Sequence, residues 1–212
     1  MPTPITPVGQ TTLHRFTVRP RHLEQWHDQF IQAVGLRKSH GFVTHRVFVE
    51  TDAEPKVTWI YSHPDPVAAE KKLMDDPRAA KVEQAMAPHV FKNLDVRPVE
   101  LEAMTHASHG ELEGKDGRIA IVRRYTIVGD LDEFLTLWRR IVPLRERHGF
   151  RCLFAVIDRE TRTFTWAIDF RGTWEEFPAG QRSYYTDPER RELRRVFDYM
   201  ADYSLHPARM VI

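Results

Sequence analysis

Two short runs of this sequence, Leu13 to Val18 and Ile119 to Ile127, hold side chains whose types and spacing suit chemistry. If each run is a strand, alternation puts His14, Phe16 and Val18 on one face of the first, and Arg123, Tyr125 and Ile127 on the matching face of the second. A cationic side chain in line with large apolar neighbours suits a pocket, where it can orient a carboxylate, a phenolate or an enolate. Arg123 stays charged while doing so, and Tyr125 can hydrogen-bond the same oxygen. The plainer alternative is a charge at a strand end that reaches solvent. The candidate catalytic residues are therefore Arg123, Tyr125 and His14.

Trp59 with Tyr61, and Trp166 with Ile168 and Phe170, form similar faces on two further apolar runs. They suit a core, and an indole beside a cavity also suits a flat aromatic ligand. Asp169 falls on the face opposite Trp166. The segment Arg171 to Tyr185 is aromatic and broken by Gly and Pro, so Trp174 and Tyr184 join Trp59 and Trp166 as candidate substrate-binding residues, either covering a pocket or packing as a plain surface loop. His40 and His148 each precede a glycine at a helix end, where an imidazole can bond free carbonyls. Cys152, in the apolar stretch Phe150 to Ile157, reads as a buried inert thiol. The scattered histidines form no H-x-x-x-H or H-E-x-x-H pattern, so no metal site is expected, and no G-x-G-x-x-G or P-loop favours a nucleotide. The run from Glu189 to Arg195 reads as a solvated mixed-charge helix face.

The elements that must position these residues occur twice. Leu36-Arg37-Lys38-Ser39-His40-Gly41-Phe42 matches Leu144-Arg145-Glu146-Arg147-His148-Gly149-Phe150 at a spacing of 108 residues. Arg15-Phe16-Thr17-Val18 meets Arg124-Tyr125-Thr126-Ile127 at 109, Thr58-Trp59 meets Thr165-Trp166 at 107, and Asp76-Pro77 meets Asp187-Pro188 at 111. Anchors in one order with small drifts indicate an internal repeat. In each copy a β-rich run is followed by apolar residues at helical spacing, among them Leu23, Trp26 and Phe30, or Leu131, Phe134 and Trp138. Asp130 with Glu133 suits a capping box, and Gly41 and Gly149 suit the left-handed residue past a helix end. Two strands joined by a hairpin come next, then a helix opening at Asp76-Pro77 or Asp187-Pro188, then a closing strand. The expected order is β-α-β-β-α-β, that of a ferredoxin-like unit. The expected boundaries are a first unit over 1–102, a linker over 103–118 and a second unit over 119–212.

Composition narrows the partners. With 31 Lys and Arg against 30 Asp and Glu, no net field draws nucleic acid or an anionic membrane. One cysteine cannot form an internal disulfide, no apolar run is long enough for a membrane helix, and the first residues lack a secretory pattern. The expectation is a soluble cytoplasmic protein whose partner is a hydrophobic small molecule, with no nucleic acid and no membrane; a homodimer is compatible with it.

The early strand ending in Tyr125-Thr126-Ile127, Trp138, the run Pro143 to Phe150, and later Trp166 and Asp187-Pro188 resemble the NIPSNAP family. That family sits in the dimeric α+β-barrel group with antibiotic-biosynthesis-type and heme-degrading monooxygenases. The resemblance covers nearly the whole chain and is better in the second copy; Gly35 stands in the first where Pro143 stands in the second. It implies an α+β fold of two tandem ferredoxin-like units paired as a pseudo-dimer within one chain. Heme-degrading relatives use a histidine six residues past an aspartate of the kind at Asp76 and Asp187. Val82 and Leu193 occupy those positions here, so no cofactor is expected. The leading expectation is a cofactor-independent enzyme that oxygenates, isomerises or cyclises a hydrophobic aromatic or polyketide-like molecule, with its principal pocket in the second half. The alternative is a non-catalytic small-molecule-binding or scaffold protein.

Overall fold

A computed structural model describes residues 9–51, 53–104 and 118–212. The described residues divide into two compact units, one reaching to Val99 and including Arg209–Ile212, the other spanning Glu100–Ala208. The fold is mixed α+β, with antiparallel strands throughout.

In the first unit the chain runs through β1 (Gln10–Val18), α1 (Leu23–Ser39), β2 (Val43–Glu50), β3 (Lys56–His63), α2 (Pro66–Met74), α3 (Pro77–Met86) and β4 (Val90–Met104, as far as Val99). The strands lie in the order β4-β1-β3-β2, with His14 opposite Trp59. α1 buries Trp26 and Phe30 against Phe16 and Trp59, a cluster of stacked, tilted and edge-on rings 4.7–6.3 Å apart. Each fully buried ring of this kind contributes about 1.5–3 kcal/mol. Asp65 and Asp76 cap α2 and α3 through the backbone N–H groups of Ala68 and Arg78, each ahead of a proline in the first turn. α2 has no forerunner in the sequence reading, which placed one helix here.

The second unit takes up the end of β4 and continues through β5 (Arg118–Ile127), α4 (Leu131–Arg147), β6 (Arg151–Asp158) and β7 (Thr163–Arg171). Three short helices follow, α5 (Phe177–Gly180), α6 (Arg182–Thr186) and α7 (Pro188–Glu192), then a 3₁₀ turn (Leu193–Tyr199) and β8 (Met200–Met210, as far as Ala208). Its strands lie in the order β8-β5-β7-β6, with Glu100–Met104 of β4 on β6. In both units, then, the last strand lies beside the first, and the third separates the first from the second. The apolar stripe of α4, including Phe134, Leu135, Trp138, Ile141 and Leu144, packs on Tyr125, Phe164 and Trp166. Asp130 caps α4 by accepting from the Glu133 N–H at 2.9 Å. Gly41 and Gly149 take φ of +87° and +82° past their helices, where a side chain would be strained.

Three details depart from the sequence reading. Residues 105–117 of the expected linker lie outside the described residues, and at its edges Ala103 and Met104 belong to β4 and Arg118 to β5. The segment after β7 is helical from Phe177, not a loop. Its extra length falls between Arg171, where β7 ends, and the first residue of α5, so the insertion carries Trp174 and not Tyr184. The helix-end histidines do more than cap: His40 Nε2 lies 2.9 Å from Asp76 Oδ2, and His148 Nε2 lies 2.9 Å from Asp187 Oδ2. Each imidazole thereby ties the end of a long helix to the start of a later one. Arg78 and His40 hold the Asp76 carboxyl well below the usual range, and His148 does the same for Asp187.

Candidate active site

The site is built around three arginines of the second unit. Arg123 projects from β5, Arg145 from the last turn of α4 and Arg190 from α7, and their side chains are nearly inaccessible at 5 %, 2 % and 4 % exposure. Burying a guanidinium is costly unless carboxylates pair with it. Here no carboxylate of the described residues lies within 4 Å of any of the three. Aromatic faces stand in their place. Arg123 Nε donates to the Tyr125 hydroxyl at 2.8 Å, and its Cζ lies 5.5 Å from the Trp166 ring centre. Arg145 stacks 3.8 Å over Tyr184 and 4.9 Å over Phe150; Arg190 lies 5.4 Å from Tyr184 and 4.9 Å from Phe197. Several of their nitrogens have no hydrogen-bond partner, namely Arg123 Nη1, Arg145 Nε and Nη1, and Arg190 Nε.

These groups line a cavity of about 20 Å³, closed by Trp138, Ile141, Val196 and Met200 and with Tyr185 and Phe197 at its edge. That is room for one oxygen atom or one water, not for a ring. Tyr185 and Phe197 are each about 40 % exposed, at 39 % and 41 %, so an aromatic body would lie against them at the mouth. The two adjacent phenols are driven apart. Burial raises Tyr184, with Arg145 and Arg190 only partly opposing it. Burial pushes Tyr185 the same way, but Arg145, Arg123 and Arg190 together overcome it and lower its value. Arg145 itself is pushed down, first by burial and then by the charge of Arg123, and as a guanidinium it remains protonated. The arrangement is a buried, cationic, aromatic-walled pocket with an acidified phenol at its rim, suited to holding an anionic oxygen.

Of the sequence candidates, Arg123, Tyr125, Trp166 and Tyr184 line this cavity together. Trp174 does not; it stacks on Phe177 at 5.5 Å. His14 and Trp59 belong to the first unit, where their rings stack 5.9 Å apart. Burial, reinforced by Arg37, depresses His14 to about 4, so the imidazole is neutral at pH 7. Among the described residues the first unit has no counterpart of the cationic pocket: Arg37, which matches Arg145 in sequence, is held bidentately by Glu70 at 2.5 and 3.0 Å. The sequence reading missed Arg145, Arg190 and Tyr185. Arg145 stood within the repeated Leu-Arg-x-x-His-Gly-Phe motif, while Arg190 sat in the charged run taken for a solvated face, of whose described charged residues it is the buried one.

A larger open groove of about 490 Å³ near Asp130, Glu133 and Tyr199 is less promising, because Tyr199 already donates to Glu133 and accepts from Arg195. The Cys152 thiol is buried and pushed up by that burial. Among the described residues no three His, Cys, Asp or Glu side chains gather as a metal site would require. The cavity residues do not fit a haem: among the described residues no histidine or cysteine lines the space, and Leu193, at the position where the resemblance would put a histidine ligand, is fully buried among apolar side chains.

Fold and site together define an antiparallel α+β protein with one arginine-rich aromatic pocket. No protein-family model matches the chain, and no curated protein matches it. Solved structures do. A "putative monooxygenase" from Fusobacterium nucleatum superposes with a TM-score of 0.69 over 98 % of this chain and 94 % of that one, at 10 % identity. An anthrone oxidase-like protein gives 0.62 over 99 % and 94 %, at 11 % identity. A NIPSNAP domain protein from Burkholderia xenovorans also matches, over 44 % of this chain and 92 % of that one, at 13 % identity and a TM-score of 0.36. The first two likenesses establish a shared fold. No described helix is long and apolar enough to cross a membrane.

Proposed function

We propose that the protein is a cofactor-independent enzyme that oxygenates, or isomerises or cyclises, a hydrophobic aromatic or polyketide-like molecule through its enolate. The observation that carries this is the buried trio Arg123, Arg145 and Arg190 facing an oxygen-sized cavity without a carboxylate. A neutral ligand would leave those charges uncompensated, whereas an enolate oxygen entering the cavity would be held by Arg123 and by the Tyr125 hydroxyl. In a buried site such hydrogen bonds favour the developing anion strongly. Trp166 and Tyr184 shape the wall, and the rings of the substrate lie at the mouth. Tyr185, whose phenol its guanidinium neighbours lower, would take the carbon-bound proton as its phenolate.

For oxygenation of an anthrone-like methylene the step balances as CH2 plus O2 giving C=O plus H2O. The enolate carbon adds dioxygen as a peroxide, which then loses water as the new carbonyl forms. Isomerisation or cyclisation shares the enolate and consumes no oxygen. The likeness to an anthrone oxidase-like fold supports the oxygenase branch. We further propose that the two units are tandem ferredoxin-like copies, 1–102 and 119–212 joined by 103–118, of the kind that dimeric α+β-barrel proteins pair. Their matching strand orders support this.

An oxygen electrode with anthrone as substrate tests the function. The expected result is uptake of one O2 per anthrone, reduced at least about tenfold in Arg123→Ala, the loss of one charged hydrogen bond of roughly 1.5–3 kcal/mol. Equal turnover by Arg123→Ala and the parent protein would remove Arg123 from the mechanism. Anthrone that binds and is released unchanged would favour the non-catalytic alternative.

A further inference from the structure

We infer that the substrate carries a carboxylate, held by Arg145 and Arg190, in addition to the oxygen held by Arg123; this rests on the enolate reading above and narrows it to aromatic acids. The internal repeat supplies the comparison. In the first unit the arginine at the helix end, Arg37, lies over Phe42, Trp59 and Tyr61 and receives the Glu70 carboxylate in a two-point grip of 2.5 and 3.0 Å. Such a fork-to-fork pair is the geometry in which a guanidinium binds a planar two-oxygen anion most strongly. Arg145 holds the same place in the second unit, over Phe150, Tyr184 and Tyr185.

Its carboxylate is missing. Counting back from the Asp76-Pro77 and Asp187-Pro188 caps, Glu70 corresponds to Gln181, which has no negative charge and whose buried Oε1 finds no partner. Counting forward, Ala79 corresponds to Arg190, a buried positive charge that the first unit lacks. Leu73 and Met74 become Tyr184 and Tyr185. His14, neutral, becomes Arg123. The first unit thus sets Glu70 against Arg37, whereas the matching place in the second holds three cations and, among the described residues, no anion. Three changes in one direction, a carboxylate lost and two guanidiniums gained, leave the second unit open to an anion from outside.

One oxygen does not use all three arginines. Arg123 is committed to Tyr125, on the β5 side. Arg145 and Arg190 flank Tyr184 from α4 and α7, with Arg145 Nε and Nη1 and Arg190 Nε buried and unpartnered. A carboxylate reaches them through the mouth, beside the half-exposed ring of Tyr185. Its charge then stands where that of Glu70 stands in the first unit.

Isothermal titration of the full chain with 2-naphthoate and with 2-naphthamide, a neutral molecule of the same shape, tests this. The acid should bind at least tenfold more tightly than the amide. Gln181→Glu, which restores the carboxylate found in the first unit, should weaken the acid at least tenfold and leave the amide unchanged. If that variant does not fold, Arg190→Ala, which restores the first unit's Ala79, should abolish the preference in the same way. Equal binding of acid and amide, or an unaltered preference in the variant that folds, overturns the carboxylate while leaving oxygen uptake with anthrone as a separate result. Binding of neither naphthalene, together with no turnover of anthrone, overturns both readings.

Discussion

Arg145→Met removes a guanidinium that is 2 % exposed, faces no carboxylate among the described residues, and feels the charge of Arg123. What is lost is the stacking over Tyr184, about 0.5–2 kcal/mol. What is relieved is the cost of an unpaired buried cation and its repulsion by a second one, several kcal/mol even after relaxation. Methionine is unbranched and fills most of the same space. The balance is a stabilisation of about 1–3 kcal/mol, in the range seen when buried ionic groups give way to apolar ones. For a chain of this length that is a rise of roughly 2–4 °C in Tm per kcal/mol. Arg37→Met in the first unit should act in the opposite direction, since it strands Glu70. Because both partners there are partly exposed, the loss should be only about 1 kcal/mol. Urea unfolding followed by far-ultraviolet circular dichroism measures both. A loss of 2 kcal/mol or more in Arg145→Met, or the same sign in both variants, would refute the reasoning and make Arg145 a structural tie.

Tyr185 should ionise below the ordinary phenol value near 10, because its three guanidinium neighbours outweigh burial. In an absorbance titration one early tyrosinate should appear and be absent from Tyr185→Phe; since the folded value is the lower one, that phenolate adds stability as pH rises towards 10, and identical titrations would count against it. His14 is depressed from 6.5 to about 4 by burial and then Arg37. The unfolded chain therefore takes up a proton that the folded one refuses, so stability should fall by up to about 3 kcal/mol as pH drops from 6.5 to 4, and His14→Phe should flatten that slope; an unchanged slope contradicts the assignment. Cys152, buried with its thiol pushed up, should resist a thiol reagent in native buffer and react fully in denaturant, whereas fast native labelling would show the site to be open.

Much of the frame was legible because it depends on local signals that occur twice. Alternation in β1 and β5, the Asp-Pro caps and the glycines after α1 and α4 each specify a backbone state with few alternatives. Arg123, Tyr125, Trp166 and Tyr184 were accessible for the same reason: strand alternation and aromatic content aimed them inward. Arg145 and Arg190 were not, since a helical arginine is buried or solvated according to what packs over it, and that is tertiary information. The same blindness misplaced Trp174. Its ring stacks on Phe177 within the inserted turn, and only the ends of β7 and the start of α5 show where the insertion falls. α2 escaped because Asp65-Pro66 follows β3 so closely that the second helix appeared to begin at Asp76.

The central claim is that Arg123 and its neighbours receive an anionic oxygen from an aromatic molecule, and a crystal structure of the protein with bound anthrone tests it most directly. The account predicts the anthrone oxygen within hydrogen-bond distance of Arg123 and the Tyr125 hydroxyl, with its rings against Tyr185 and Phe197. Anthrone seated elsewhere, with the three arginines in the arrangement described above, would contradict it.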